Sequence, residues 1–182
     1  MNDKQSLRAQ HRAARAHAPR TPIPVSPPFT ALLHPNAIVA FYVPTGSEAD
    51  PKPHADAALA AGCTLALPHV VDRALPLRFL RWNAGDPLVE GPFGLRQPES
   101  DAETCDPSII LTPLVGFDRA GNRLGQGAGH YDRAFAAHPQ AIRVGIAWSM
   151  QEVDALSADP WDVPLHHIAT EKEWITPVET QP

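Results

Sequence analysis

The chain has 182 residues, of which 43% are hydrophobic and 19% charged, with a formal net charge of −5 at pH 7. That length fits one domain spanning residues 1–182, and that balance excludes a disordered chain. An acidic body argues against a general nucleic-acid binder, no apolar run approaches the ~18 residues of a membrane span, and the N-terminus lacks the apolar core of a signal peptide, so the expectation is a soluble cytoplasmic monomer with neither nucleic acid nor membrane as partner.

Residues 3–18 hold no glycine or proline and are rich in Ala, Arg and Gln, which predicts a helix. Lys4, Arg8, Arg12 and Arg15 fall on one face of it. Residues 1–20 carry five of the fifteen Lys and Arg against a single Asp, so this end could meet an anion such as a nucleotide phosphate. The alternative is a solvated helix face; a terminal helix of ~16 residues is marginal alone, so a bound anion would order it. Prolines 19, 22, 24, 27 and 28 end the helix and predict a stiff connector. AIVAFYV (37–43) reads as a buried strand, 44–53 as a loop, 54–61 as a short helix stopped by Gly62, and TLALP (64–68) as the next strand. LRFLRW (77–82) alternates like a half-exposed strand, and 83–107 reads as loop. SIILTPLVGF (108–117) starts as a buried strand, a helix opens near Gly129, IRVGIAW (142–148) is a strand and HHIATE (166–171) the last one. Alternating strands and helices predict an α/β fold with a mostly parallel central sheet flanked by helices, a Rossmann-like three-layer arrangement.

The strongest chemical signal is the run Arg123-Leu124-Gly125-Gln126-Gly127-Ala128-Gly129-His130-Tyr131-Asp132-Arg133, between a strand and a helix. Glycines at alternate positions let backbone approach a ligand, and their N–H groups with a helix N-terminus behind them suit an anion. Arg123 and Arg133 flank the run with permanent charges, and Asp132 is placed to take a magnesium ion riding on phosphates. The alternative is a flexible hairpin whose glycines serve only the turn. The spacing is neither the dinucleotide GxGxxG nor a P-loop.

The ordered stretch PLVGFDRAGNRLGQGAGHYDR resembles the signature of the 5-formyltetrahydrofolate cyclo-ligase family, also called 5,10-methenyltetrahydrofolate synthetases. Lys4-x-x-Leu7-Arg8, FYVPTGSEAD, Leu67-Pro68, Gly94-Leu95-Arg96-Gln97-Pro98 and WDVPLHHIATE resemble other family segments in the same order. The resemblance implies an enzyme that uses ATP and magnesium to cyclise 5-formyltetrahydrofolate to 5,10-methenyltetrahydrofolate, releasing ADP and phosphate through a phosphorylated formyl intermediate. It implies ATP binding by Lys4, Arg8, Arg123, Leu124, Gly125, Gln126, Gly127, Ala128, Gly129, His130 and Tyr131. It implies folate binding by Val43, Glu48, Gln126, Gly127, Gly129 and His130, magnesium at Asp132 and Asp162, and catalytic roles for Arg123 and Tyr131. His130 stands where the family has Tyr, and His166 where its closing motif has Asp.

Other chemistries are weaker. Cys63 and Cys105 lack a CxxC partner and read as reduced apolar residues. His166 and His167, adjacent in a strand, point to opposite faces, and no tetrahedral zinc set is visible. Ser47 and Ser149 lack a GxSxG context. The four tryptophans read as core or rim residues, with Trp82 a candidate for the folate pocket wall. Another ATP-dependent small-molecule kinase or ligase, or a non-catalytic folate- or nucleotide-binding protein, are the alternatives.

Overall fold

Strands buried on both faces need near-continuous apolar sequence, and the central segments of this chain supply it. The computed structural model describes residues 3–18, 20–72 and 74–178; Pro19 of the expected connector lies outside them. In chain order the strands are β1 (Ile38–Ala40), β2 (Thr64–His69), β3 (Arg78–Arg81), β4 (Val89–Glu90), β5 (Arg96–Gln97), β6 (Ile109–Pro113), β7 (Gly116–Phe117), β8 (Arg123–Leu124), β9 (Ile142–Ile146), β10 (His167–Ala169) and β11 (Trp174–Ile175). The helices are α1 (Asp3–His17), α2 (Pro27–Thr30), α3 (Lys52–Ala60) and α4 (His130–Ala137). The main sheet has seven strands in the order β11-β10-β9-β6-β1-β2-β3. Its interior is parallel, and β3 and β11 close the two edges antiparallel.

Alternation along each strand divides the core into two layers. Val39, Leu65, Ile109, Leu111 and Val144 face α2 and α3, packing with Phe29, Ala55 and Ala58. Ala40, Ala66, Ile110 and Ile168 face α4, packing with Ala134 and Phe135. Each large side chain so buried contributes about 1.5–3 kcal/mol of transfer free energy. The expected three-layer α/β arrangement is therefore present. Among the described side chains of α1, by contrast, only Arg15 is buried, so polar contacts rather than an apolar stripe seat that helix.

Three local expectations need correction. The proline connector contains α2, because Ser26 caps it by accepting from Phe29 N–H and prolines occupy its first turn. Residues 83–107 are not all loop: β4 and β5 pair antiparallel around a one-turn 3-10 helix at Pro92–Gly94. The segment 108–117 starts as a buried strand, as expected. It leaves the main sheet at Leu114, whose carbonyl accepts from the side chains of Arg15 (2.9 Å) and Gln151 (2.8 Å) instead of a neighbouring strand, and β7 then pairs with β8 as a separate ribbon. The last strand is β11, antiparallel to β10. Both cysteines are buried and free, as expected.

β1 connects through α3 to β2 on one side, while its other side pairs with β6. The chain segments leaving β1 and β6 thus diverge, which opens a crevice at the carboxyl ends of these strands, where α/β sheets bind ligands.

Candidate active site

A cavity of about 640 Å³ fills that crevice. Its floor is formed by Tyr42 and Val43 after β1, Pro68 and Val70 at the end of β2, and Pro113 at the end of β6. α1 contributes Lys4, Arg8 and Arg12, and the segment from Arg123 to Asp132 forms one wall. Every residue expected to bind ATP, folate or magnesium lines this one cavity: Lys4, Arg8, Val43, Glu48, Arg123, Leu124, Gly125, Gln126, Gly127, Ala128, Gly129, His130, Tyr131, Asp132 and Asp162.

The glycine segment is built rather than slack. Its β7–β8 stem is a hairpin, and the loop beyond it turns into α4 with φ of +99° at Gly127 and +68° at Gly129, values that disfavour any side chain. Arg123 Nη2 donates to Asp132 Oδ1 at 2.5 Å, tying the start of the loop to the first turn of α4. Arg8 Nε donates to the Gly125 carbonyl at 2.9 Å, tying the loop to α1. Arg133, expected to flank a phosphate, instead donates to the Ala128 carbonyl at 3.1 Å and braces the loop from behind; it is not part of the cavity lining. Burial lifts the Tyr131 hydroxyl well above its ordinary range, so it stays a neutral donor at physiological pH.

Lys4 Nζ lies 2.6 Å from Asp159 Oδ2 and 3.2 Å from Asp162 Oδ2. These carboxylates raise the ammonium pKa, the Asp159 hydrogen bond most. With Arg8 and Arg15 this pair seats α1 through contacts of the chain itself.

Magnesium fits the donor set. Asp132 and Asp162 both line the cavity, and each spends one oxygen on a cation, Arg123 for Asp132 and Lys4 for Asp162. No group of three or more His, Cys, Asp or Glu among the described residues forms a complete metal site. Two carboxylates lining one cavity suit an ion that keeps water and phosphate as its other ligands.

On the other side of the cavity the loop after β1 is folded on itself. Glu48 Oε2 accepts from the Thr45 N–H at 2.9 Å and Oε1 accepts from Gln126 Nε2 at 3.4 Å. Tyr42 donates to the Ala49 carbonyl at 2.6 Å. Glu48 is thus presented to the cavity by fixed backbone.

Sequence reasoning missed several lining residues. Phe93, Leu95 and Arg96 reach the cavity from the β4–β5 hairpin, and Asp159 and Trp161 from the segment before β10. Trp82 does not line it; its ring packs on Phe41 and its N–H donates to the Asp86 carbonyl. His166 also lies away from the cavity, hydrogen-bonded to Arg143, so its replacement of the family's Asp leaves the lining untouched. His130, the other departure, does line it.

Fold and site together define an α/β protein whose glycine loop, terminal-helix cations and Glu48 loop line one cavity at the carboxyl ends of its central strands. The 5-formyltetrahydrofolate cyclo-ligase family matches residues 29–171. The 5-formyltetrahydrofolate cyclo-ligase of Mycolicibacterium smegmatis is 38% identical over 148 residues, covering 75% of each chain. That of Haemophilus influenzae is 40% identical over 98 residues, which span 50% of this chain and 52% of the relative. The solved 5,10-methenyltetrahydrofolate synthetase of Aquifex aeolicus superposes with a TM-score of 0.75 at 25% identity, covering 98% of this chain and 95% of that one. The chain belongs to the 5-formyltetrahydrofolate cyclo-ligase family. No helix among the described residues is long and apolar enough to cross a membrane.

Proposed function

We propose that the chain catalyses the ATP-dependent cyclisation of 5-formyltetrahydrofolate to 5,10-methenyltetrahydrofolate. The observation that carries this reading is the convergence, in one cavity at the carboxyl ends of β1, β2 and β6, of the glycine loop, the cations of α1 and the Glu48 loop. The 5-formyl oxygen attacks the γ-phosphorus, the bond to the β-phosphate oxygen breaks, and ADP leaves. N10 of the folate then attacks the activated formyl carbon and loses its proton, and the carbon–oxygen bond breaks to release phosphate.

Phosphoryl transfer asks for positioning and charge neutralisation. Lys4, Arg8 and Arg123 supply fixed cations for the polyphosphate, and the loop Leu124–Tyr131 supplies backbone donors around it. Arg123 faces the charge that develops on the transferred group, and the neutral Tyr131 hydroxyl donates a hydrogen bond beside it. Val43, Gln126, Gly127, Gly129 and His130 flank the folate, and the Glu48 carboxylate accepts from its pterin amide and amine. Asp132 and Asp162 would hold magnesium, which when bound neutralises phosphate charge. The acidic body of the chain argues against nucleic acid as a partner, and the reading is of a cytoplasmic monomer.

The test mixes pure protein with 5-formyltetrahydrofolate, ATP and magnesium and follows the near-ultraviolet absorbance of the methenyl product. An absorbance rise requiring all three is expected; folded protein that produces none overturns the reading.

A further inference from the structure

α1 is an amphipathic puzzle: its described side chains include one buried residue, and that residue is an arginine, 5% exposed. A buried guanidinium is costly unless its donors are matched. Arg15 Nε donates to Ser47 Oγ at 3.0 Å and Nη1 donates to the Leu114 carbonyl at 2.9 Å. Ser47 immediately precedes Glu48 in the loop after β1. Leu114 is where the chain leaves β6 to build the glycine ribbon.

These contacts close a ring. From α1, Arg8 holds the Gly125 carbonyl; the next residue, Gln126, reaches Glu48; the residue before Glu48, Ser47, is held by Arg15, back on α1. One helix therefore grips the glycine loop with one arginine and the Glu48 loop with another, and the two loops grip each other. None of the three segments can shift without straining the other two contacts. A ligand that draws one loop toward itself draws the other with it through these bonds, so the second ligand meets a loop already set, which is a source of positive coupling.

We propose that Arg15 is a positioning residue that couples the two ligand sites, so that nucleotide bound on the glycine loop tightens binding of the reduced folate beside Glu48, and the reverse. The proposal rests on the assignment of those two ligands above and adds the link between them.

Ser47 gives the clean test, because Ser47→Ala removes one link of the ring while sparing the buried Leu114 contact, and Ser47→Thr keeps the hydroxyl. Calorimetric titration of 5-formyltetrahydrofolate into the full chain is run with and without magnesium and a non-hydrolysable ATP analogue. For the unaltered chain the analogue should tighten folate binding by about fivefold or more. In Ser47→Ala that factor should fall towards one while the affinity for the analogue alone stays within about twofold, and Ser47→Thr should restore the coupling. Arg15→Met should also lose it, with a lowered melting temperature from loss of the buried hydrogen bond to the Leu114 carbonyl. Coupling that persists in Ser47→Ala, or an unaltered chain that binds both ligands independently, overturns the proposal and leaves the proposed reaction standing. Failure of the unaltered chain to bind folate at all overturns the reaction and this proposal with it.

Discussion

Arg123 and Asp132 meet at 2.5 Å across the glycine loop, with side chains only 6% and 20% exposed. The pair fixes both ends of the loop and keeps the carboxylate at the cavity wall. The same carboxylate is thus asked to hold a guanidinium and, with ligand present, a magnesium ion.

Asp132→Asn keeps the shape and removes the charge. Loss of the charged partner of a mostly buried arginine should cost about 1–3 kcal/mol of stability, read by thermal denaturation. Turnover should fall about a hundredfold or more, as for other losses of charge stabilisation, and the magnesium dependence should shift to higher concentration. A wild-type rate throughout a magnesium titration would remove Asp132 from the metal assignment.

Lys4 is the outermost contact of α1, reaching Asp159 and Asp162 from the opposite end of the chain. Its ion pairs are partly exposed to solvent, which screens them, and are worth under about 1 kcal/mol to stability. Lys4→Met should therefore leave the melting temperature nearly unchanged while raising KM for ATP about tenfold, because one fixed cation is lost from the polyphosphate. An unchanged KM would return Lys4 to the role of a helix tether.

His54 is fully buried in α3 against the Phe29 ring, and neither ring nitrogen has a hydrogen-bond partner. Burial pulls its pKa from 6.5 down to about 4. The unfolded chain therefore binds a proton on this residue at a pH where the folded chain does not, so stability falls as the pH drops from about 6.5 towards 4. The full shift corresponds to about 3 kcal/mol. His54→Leu should flatten the stability profile across that window and, by removing two unmet polar atoms, leave neutral-pH stability equal or higher. Chemical denaturation at pH 5 and pH 7.5 measures both; an unchanged slope would sink the assignment.

The parts of the site legible in sequence are those whose chemistry is local. Gly125, Gly127 and Gly129 advertise a tight approach of backbone, and Asp132 follows within one turn of helix. Val39, Ile110 and Val144 sit in apolar runs that can only be buried strands. What stayed hidden depends on distant partners. Arg15 reads as one more solvated cation until Ser47 and Leu114 are brought to it, 32 and 99 residues away. Asp159 carries no local mark and gains one only from Lys4, 155 residues distant. The β4–β5 hairpin is too short for a period; it is moored by Gln97, whose side chain accepts from the Val70 N–H at 3.0 Å and donates to the Val70 carbonyl at 3.3 Å.

That hairpin sets up the last prediction. Phe93 has φ of +63°, the only positive value outside glycine among the described residues, and it is 64% exposed while lining the cavity. A bulky side chain in the left-handed region costs about 1–2 kcal/mol, and an exposed ring gains little burial to offset it. Strain of this kind persists where the residue serves a ligand. Phe93→Gly should relieve the backbone and raise stability by about 1 kcal/mol, measured by denaturant unfolding. The same change removes an aromatic face from the cavity mouth, so KM for 5-formyltetrahydrofolate should rise about fivefold or more, given the ~1 kcal/mol a ring contact is worth, while KM for ATP stays put. Phe93→Tyr, which keeps the ring and the strain, should behave like the unaltered chain in both measurements. A Phe93→Gly variant that gains stability without any loss of folate affinity would make the ring a bystander at the rim.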